Sequence, residues 1–545
     1  MSSSRAPAPA QSSEERASWV PMIVIAMGQA LMSFNVAAIP VSMGGMVKSF
    51  NTPPTTVGTA IVMYSLGVSG FVMLGAKLGQ RFGSKRFFQV ATGLFLGAMV
   101  LMVISPRAEV MLAAQGLAGF AGASLVPSLV ALIANHYRGR QQAQAVGWLG
   151  SARAIAGVLA FVIVGFVAAI NWRFAFGLLI VHAAAILLLS FKLKPSPPRP
   201  EVKIDAIGVV LAAVGIISVA FGFNNLRGWG ALLARPGAPF DILGLSPAIV
   251  LIGFGVMTVM AFFVWSHKRA AGGRTPLLAL EVVDSPKEWA AVVCLFAIVA
   301  MEGAINFSVP LYTQIVQGRS SMQTSIAMMP FMLTVFFTAI LIVRLYARFP
   351  PRTIARAAFI LVAVGAAWLA FVVRNEWSTA PVIIGLITVG LGQGALVTLL
   401  FNVLVTSSPR ELAGDVGSLR GVTQNLAAAV GTAVIGALLV AVLSSLVVSN
   451  LASNPVLTPR LQAELALDSI NFVSNDRLKS ALEATSATPE QVAEAVAVNT
   501  DARVRALKIG FLLMSGLALL AVVPCSWLPN YRPDEIPADP KPRKS

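Results

Sequence analysis

Fourteen apolar runs, each about 20 residues long, divide this chain from Trp19 to Leu528. They fall at 19–41, 55–76, 87–104, 110–134, 143–168, 174–191, 206–224, 245–266, 288–311, 321–343, 353–373, 379–404, 416–446 and 506–528. Coiled as a helix, a run of that length matches the ~30 Å hydrocarbon core of a bilayer and satisfies its own backbone hydrogen bonds there. The sequence therefore predicts an all-α polytopic membrane protein with fourteen transmembrane helices. Composition agrees. Hydrophobic types make up 57% of the 545 residues and charged types 12%, about half the charged share of soluble domains.

An even number of spans puts both termini on one side, and charge says which. One set of alternate loops carries Lys77, Arg81, Lys85 and Arg86, then Arg138 and Arg140, Lys192 to Lys203, Lys268 to Lys287, Arg344 to Arg356, and Arg410. The opposite short loops carry only Lys48, Arg107, Arg173, Arg227, Arg235, Arg319 and Arg374. The positive-inside rule makes the first set cytoplasmic, together with both termini. The net charge of +17 is thus spread over short loops between spans, and no nucleic-acid-binding function is read from it. Residues 1–18 are rich in Ser, Ala and Pro and lack a signal peptide's basic start and short apolar core, so a disordered cytoplasmic leader is expected.

Two cysteines, Cys294 and Cys525, sit inside apolar runs, and the three histidines are scattered. Neither a structural disulfide, nor a metal site, nor a cofactor is read from this. No nucleophile–base pair suggests an enzyme. One connection is long: residues 447–505, expected as a helical extracellular loop. There "TPEQ" (488–491) has the form of a capping box, Thr488 as N-cap and Pro489 at the first helical position. "TPRLQAELAL" (458–467) is a second candidate helix start.

The chain also repeats itself. "LGQRFGSK" (78–85) and "LYARFPPR" (345–352) share L-x-x-R-F-x-x-K/R at an offset of 267. "RQQAQAVG" (140–147) and "RELAGDVG" (410–417) share R-x-x-A-x-x-V-G at an offset of 270. The two matches link equivalent turns, so spans 1–6 read as a copy of spans 9–14. This divides the chain into a six-helix bundle at 19–191, a linker with two inserted spans at 192–287, a second bundle at 288–528 and a cytoplasmic tail at 529–545. Two such halves describe a transporter that works by alternating access.

In these features the sequence resembles the major facilitator superfamily, and within it the fourteen-span drug:proton antiporter branch. Residues 75–86 resemble the superfamily's loop signature, roughly G-x-L-x-D-R-x-G-R-R/K. "NVAAIP" (35–40), "QGLAGFAGASLVPS" (115–128), "NWRFAF" (171–176), "TPLLAL" (275–280), "VPLYTQIVQGRSSMQTSIAMMP" (309–330) and "PRELAGDVGSL" (409–419) resemble further segments of that branch. The resemblance implies a secondary transporter of the bacterial inner membrane that exports amphipathic or cationic small organic molecules. Membrane lipid surrounds it, a monomer is expected, and the proton is a candidate coupling ion.

The chain departs from the pattern at the positions that matter for coupling. The signature's Asp is Gln80 here, and its counterpart in the second half is Ala347. Leu31 stands where relatives carry an Asp in the first span, and Leu112 where they carry an Arg in the fourth. Gln80 cannot form an ion pair, so a weaker cytoplasmic latch between the halves is expected. A weakly coupled facilitator or lipid exporter therefore stays open as a second reading. A non-transporting scaffold finds less support, since no soluble sensor domain or long tail accompanies the spans.

Charge inside a membrane is expensive and marks function. Arg153 lies about 16 Å into the fifth span, near the midplane. Glu302 lies in the ninth span as a candidate proton carrier or cation counter-charge; the two could pair or act separately. Arg420 is read as shallower, able to reach the cytoplasm, and Asp205 and Glu411 as helix caps. Candidate cavity-lining residues are Asn35, Phe34, Gln115, Asn306, Phe307, Tyr312, Gln314 and Gln424. Candidate cytoplasmic gate residues are Gly75, Gln80, Arg81, Gly83, Lys85, Arg348 and Arg352.

Overall fold

A computed structural model describes residues 18–530, except 138, 231, 236, 347, 376–379, 407–412, 454–474 and 484–486. The leader 1–17, the segment "TPRLQAELAL", Arg410, Glu411 and most of the tail lie outside the described residues.

The helices are α1 (Val20–Val41), α2 (Met43–Phe50), α3 (Pro54–Phe82), α4 (Ser84–Ile104), α5 (Ala108–His136), α6 (Gly139–Ile170) and α7 (Trp172–Ser190). Then come α8 (Ala206–Trp229), α9 (Pro247–Ala271), α10 (Pro286–Pro310), α11 (Ser321–Tyr346), α12 (Pro351–Val372), α13 (Ala380–Thr406), α14 (Ala413–Ser453), α15 (Asn475–Glu483) and α16 (Pro489–Ala521). Thirteen of them are long and apolar enough to span a bilayer, and α6 adds a shorter apolar stretch, Ile155–Ile170. No strand forms among the described residues.

Local chemistry explains many of the helix starts. Proline, whose missing N–H costs nothing in the first turn, opens α3, α9, α10, α12 and α16. Side-chain oxygens of Asn171, Asp205 and Ser246 accept orphan backbone N–H groups at the starts of α7, α8 and α9. At α16 the "TPEQ" box closes: Thr488 Oγ1 accepts from Gln491 N at 3.3 Å, and Gln491 Oε1 accepts from Thr488 N at 3.0 Å. The helix then runs unbroken from the extramembrane loop into the last span.

Packing repeats between the halves. In the first, α3 packs on α5, α1 on α6, and α4 on both α5 and α7. In the second, α11 packs on α13, α10 on α14, and α12 on both α13 and α16. Between the halves, α3 meets α14 on one side and α6 meets α11 on the other. The inserted hairpin α8–α9 leans on the α3–α14 seam. It is pinned at one end by Asp205, which accepts from Trp265 Nε1 at 3.1 Å and faces Arg269 at 3.5 Å.

Glycine makes the closest crossings possible. Gly119 of α5 lies against the Tyr64 carbonyl of α3, and Gly75 of α3 against the Ala123 carbonyl of α5. In the second half, Gly390 and Gly394 of α13 face the carbonyls of Phe331 and Val335 on α11. In lipid, helix association rests on such contacts because hydrocarbon gives little hydrophobic drive.

The repeated loop motif staples each half to its own last helix. Lys85 Nζ donates to the carbonyls of Phe191 (2.9 Å) and Leu193, and Gln89 Nε2 to Ser190 Oγ at 3.1 Å. Arg352 and Arg356 stand 267 positions later, the spacing of the repeat. Arg352 Nε donates to Leu528 O at 3.1 Å and Arg356 Nη2 to Ser526 Oγ at 2.8 Å. These bonds place the α3–α4 turn, the end of α7, the α11–α12 turn and the end of α16 in two matching corners. Together they form the basic face of the molecule; the opposite end is the far face.

Replacing Gly119 by Leu is expected to abolish folded protein in detergent, because the new side chain meets backbone rather than a movable group. Gly97→Leu, at a position with open space around it, is expected to keep the wild-type yield and elution profile. Equal behaviour of the two variants in size-exclusion chromatography would contradict the packing account.

Candidate functional site

A polar layer crosses the middle of the molecule. Arg153 of α6, in the first half, donates from Nη1 to Gln424 Oε1 of α14, in the second half, at 2.9 Å. Glu302 of α10 accepts from Gln393 Nε2 of α13 at 2.9 Å. Arg420 lies one turn before Gln424 on α14 and stacks its guanidinium on Phe401 of α13, 3.7 Å from the ring centroid. The charge of Arg153 reaches Glu302, Arg420 and the buried Tyr64 hydroxyl, but Arg153 and Glu302 form no ion pair. The two groups read from sequence as one pair or two sites thus hold separate amide partners, inside one electrostatic neighbourhood.

The layer is incompletely satisfied. Gln424 Nε2, Gln393 Oε1, Asn306 Oδ1 and Arg420 Nε are buried without a hydrogen-bond partner. Each of these groups normally binds something when buried, so the layer has spare capacity for a ligand or water. Asn306 follows Glu302 by one turn and shares its face.

The remaining cavity candidates lie elsewhere. Asn35 and Gln115, both fully buried, satisfy each other across α1 and α5: Asn35 Nδ2 donates to Gln115 Oε1 at 3.0 Å, and Gln115 Nε2 to Asn35 Oδ1 at 3.3 Å. Phe34 stacks on His182 of α7 within the first half. Phe307, Tyr312 and Gln314 cluster on the far face. The Phe307 ring fills the space a side chain at Gly58 of α3 would need, and also lies against Gly436 of α14. After Pro310, α10 continues as a π-helical turn, Leu311–Val316. That turn aims Gln314 at the break between α1 and α2. Gln314 Nε2 donates to Pro40 O at 2.8 Å, and its Oε1 accepts from Gly44 N at 2.8 Å. Tyr312 Oη bonds the Arg374 carbonyl (3.3 Å) and Asn375 Oδ1 (3.2 Å).

On the basic face, the candidate gate residues mostly bind within their own half. Besides Lys85 and Arg352, the Gln80 carbonyl accepts from Arg199 N of the linker at 3.1 Å. Gly83, at φ +91, lies against the Ser196 carbonyl, where a left-handed backbone and close approach both require glycine. Arg81 sits over the neighbouring Phe82 ring at 5.8 Å, and Arg348 is exposed. Contact between the halves comes from a pair outside that set: Lys77 of α3 and Asp415 of α14, 3.4 Å apart and both largely buried. An acid is therefore present at this seam, with its polarity reversed: it sits on the second half and the base on the first.

Sequence reasoning did not single out Tyr64, Gln393 or the Lys77–Asp415 pair. Gln393 carried a signal, as the one amide in the glycine-rich run "GLGQGALV". Asp415 carried one too, inside the repeated motif "RELAGDVG".

Two pseudo-symmetric six-helix halves, polar contacts between them at both faces and a charged layer in the middle define a secondary transporter. The sequence profile of the Major Facilitator Superfamily matches residues 25–432, and the chain belongs to that superfamily. It is similar to the "Probable actinorhodin transporter" of Streptomyces coelicolor, 26% identical over 467 residues, covering 82% of this chain and 75% of that one. It is also similar to the "Multidrug efflux pump LfrA" of Mycolicibacterium smegmatis, 24% identical over 459 residues and covering 83% and 86%. Among solved structures, a bacterial homolog of the human lysosomal transporter Spinster shares the fold, with a TM-score of 0.60 and 14% identity over 93% of this chain and 95% of that one.

If Lys77 and Asp415 hold the halves together, Lys77→Ala and Asp415→Ala will each lower the thermal midpoint in detergent. The exchange Lys77→Asp with Asp415→Lys will recover at least half of that loss, a coupling of about 1 kcal/mol. Additive losses in the exchanged protein would show that the contact carries no energy.

Proposed function

We propose that this protein exports amphipathic small organic molecules across the bacterial plasma membrane by alternating access. The observation that carries this reading is the Arg153–Gln424 bond, which joins the two halves through the molecular centre beside buried polar groups with unused bonding capacity. The excess of basic loops supports a cytoplasmic basic face with both termini on that side. Rocking of the halves would open one face as the other closes. The Lys77–Asp415 pair would latch the cytoplasmic face, and Gln314 with Pro40 and Gly44 the extracellular face. The relatives' names, an antibiotic transporter and a multidrug efflux pump, support export as the direction.

Glu302 is the candidate coupling group, the one carboxylate of the central layer among the described residues. Its only polar partner there is an amide, so it can gain or lose a proton without breaking an ion pair. A second reading, weakly coupled or uncoupled flux, draws on Leu31 and Leu112, apolar where relatives carry charge; Leu31 is fully buried among apolar neighbours.

The test is uptake of an amphipathic fluorescent dye into proteoliposomes with and without an imposed pH gradient. Proton coupling predicts gradient-driven accumulation that Glu302→Gln removes, with downhill exchange retained. Equal flux with and without the gradient would support the uncoupled reading and remove Glu302 from its role.

A further inference from the structure

The central layer has a sign as well as a shape. Among the described residues, the charged groups there are Arg153, Arg420 and Glu302. Arginine stays protonated in proteins, so the layer carries two fixed positive charges and one carboxyl. With Glu302 ionised the balance is +1; with Glu302 protonated it is +2. The layer is net positive in either state. The nearest further charges, Lys77 and Asp415, neutralise each other at the basic face. Tyr64 contributes a neutral hydroxyl.

Hydrogen-bonding capacity points the same way. Arg153 gives one N–H to Gln424, and Arg420 bonds no acceptor among the described residues: it rests on the face of Phe401, with Nε buried and unpartnered. Gln424 Nε2 is a second unpartnered donor, one turn along the same helix and hydrogen-bonded through its oxygen to Arg153. The unpartnered acceptors, Gln393 Oε1 and Asn306 Oδ1, lie with Glu302 on α13 and α10, while two guanidinium groups and an amide donor lie on the α6–α14 side of the layer. A cation placed there would meet two like charges. A planar oxyanion would meet a guanidinium fork geometry suited to it. The surroundings favour an apolar body: Phe401 underlies Arg420, and Val72 of α3 closes on Gly421 beside it.

We infer that the central layer binds organic anions, molecules with an apolar body and a carboxylate head, held by Arg420, Arg153 and Gln424. This deepens the export reading above and rests on it. It assigns anions where the family resemblance implies amphipathic or cationic molecules. Glu302 then stands on the outer side of the anion site, where deprotonation would repel the bound acid and protonation would leave it held.

The test is equilibrium binding of a matched series to the purified full-length protein. The probes are a naphthyl-alkanoic acid, its primary amide, the corresponding naphthyl-alkylamine, and dodecanoate as an acyl-chain acid. The expected result is that the naphthyl acid binds at least tenfold tighter than the amide and the amine. In Arg420→Gln the acid-to-amide ratio falls below threefold, and Arg420→Lys restores it; Arg153→Gln is the second variant should Arg420→Gln not purify as a monodisperse species. The wild-type acid-to-amine comparison requires no variant at all. Dodecanoate binding as tightly as the naphthyl acid would assign the site to acyl carboxylates, and weaker binding to aromatic ones; both outcomes support an anion site. An amine that binds as well as the acid would overturn the anion assignment while leaving export intact. No binding by any member would overturn both.

Discussion

One hydrogen bond, from the Arg153 guanidinium to the Gln424 amide, joins the halves of this protein through its middle. Moving a guanidinium out of water costs several kcal/mol even after relaxation, and a neutral amide returns only part of it. Arg420 rests instead on an aromatic face, which is worth about 2 kcal/mol when desolvated. The fold holds two costly cations close together and leaves donors unused around them.

The rest of the structure lets those cations sit between two moving bodies. Each half is rigid for the same reasons, repeated. Glycines bring α3 onto α5 and α11 onto α13 at backbone contact, and paired side chains at the start of α4 and α12 tie down the ends of α7 and α16. Contacts between the halves are of another kind. Besides the packing of α3 on α14 and α6 on α11, made through side chains such as Val72 on Gly421, and that of Phe307 on Gly58, they include single polar links at separated points: Lys77–Asp415, Gln314 with the α1–α2 break, and Arg153–Gln424. Backbone-close packing within each half, against side-chain packing and polar links between the halves, favours rigid-body rocking over internal rearrangement.

Much of this was legible in the sequence. Apolar run length set the helices, because a bilayer allows little else, and the capping box at Thr488 marked the start of α16 before the membrane. The duplicated motif falls on the α3–α4 and α11–α12 turns, which make matching contacts. What it could not reveal was partner choice. Lys85 and Arg352 read as gate residues, yet each bonds backbone carbonyls of its own half, since any cation near a helix end finds unpaired carbonyls there. Asn35 and Gln115 read as pathway amides and instead satisfy each other. Gln80 drew attention to a missing acid. The acid that matters at that seam, Asp415, lies more than 330 positions away and became visible only when α14 was laid against α3.

The polar links at the two faces close opposite ends of the same pair of halves, so removing one should free that end alone. The most direct measurement is a pair of spin-label distances across the seam, one at each face, in wild type and in Gln314→Leu. The account predicts that removing the Gln314 clasp lengthens the far-face distance, with the basic-face distance and distances inside each half unchanged. Unchanged distances at both faces, or a change confined to the interior of one half, would contradict it.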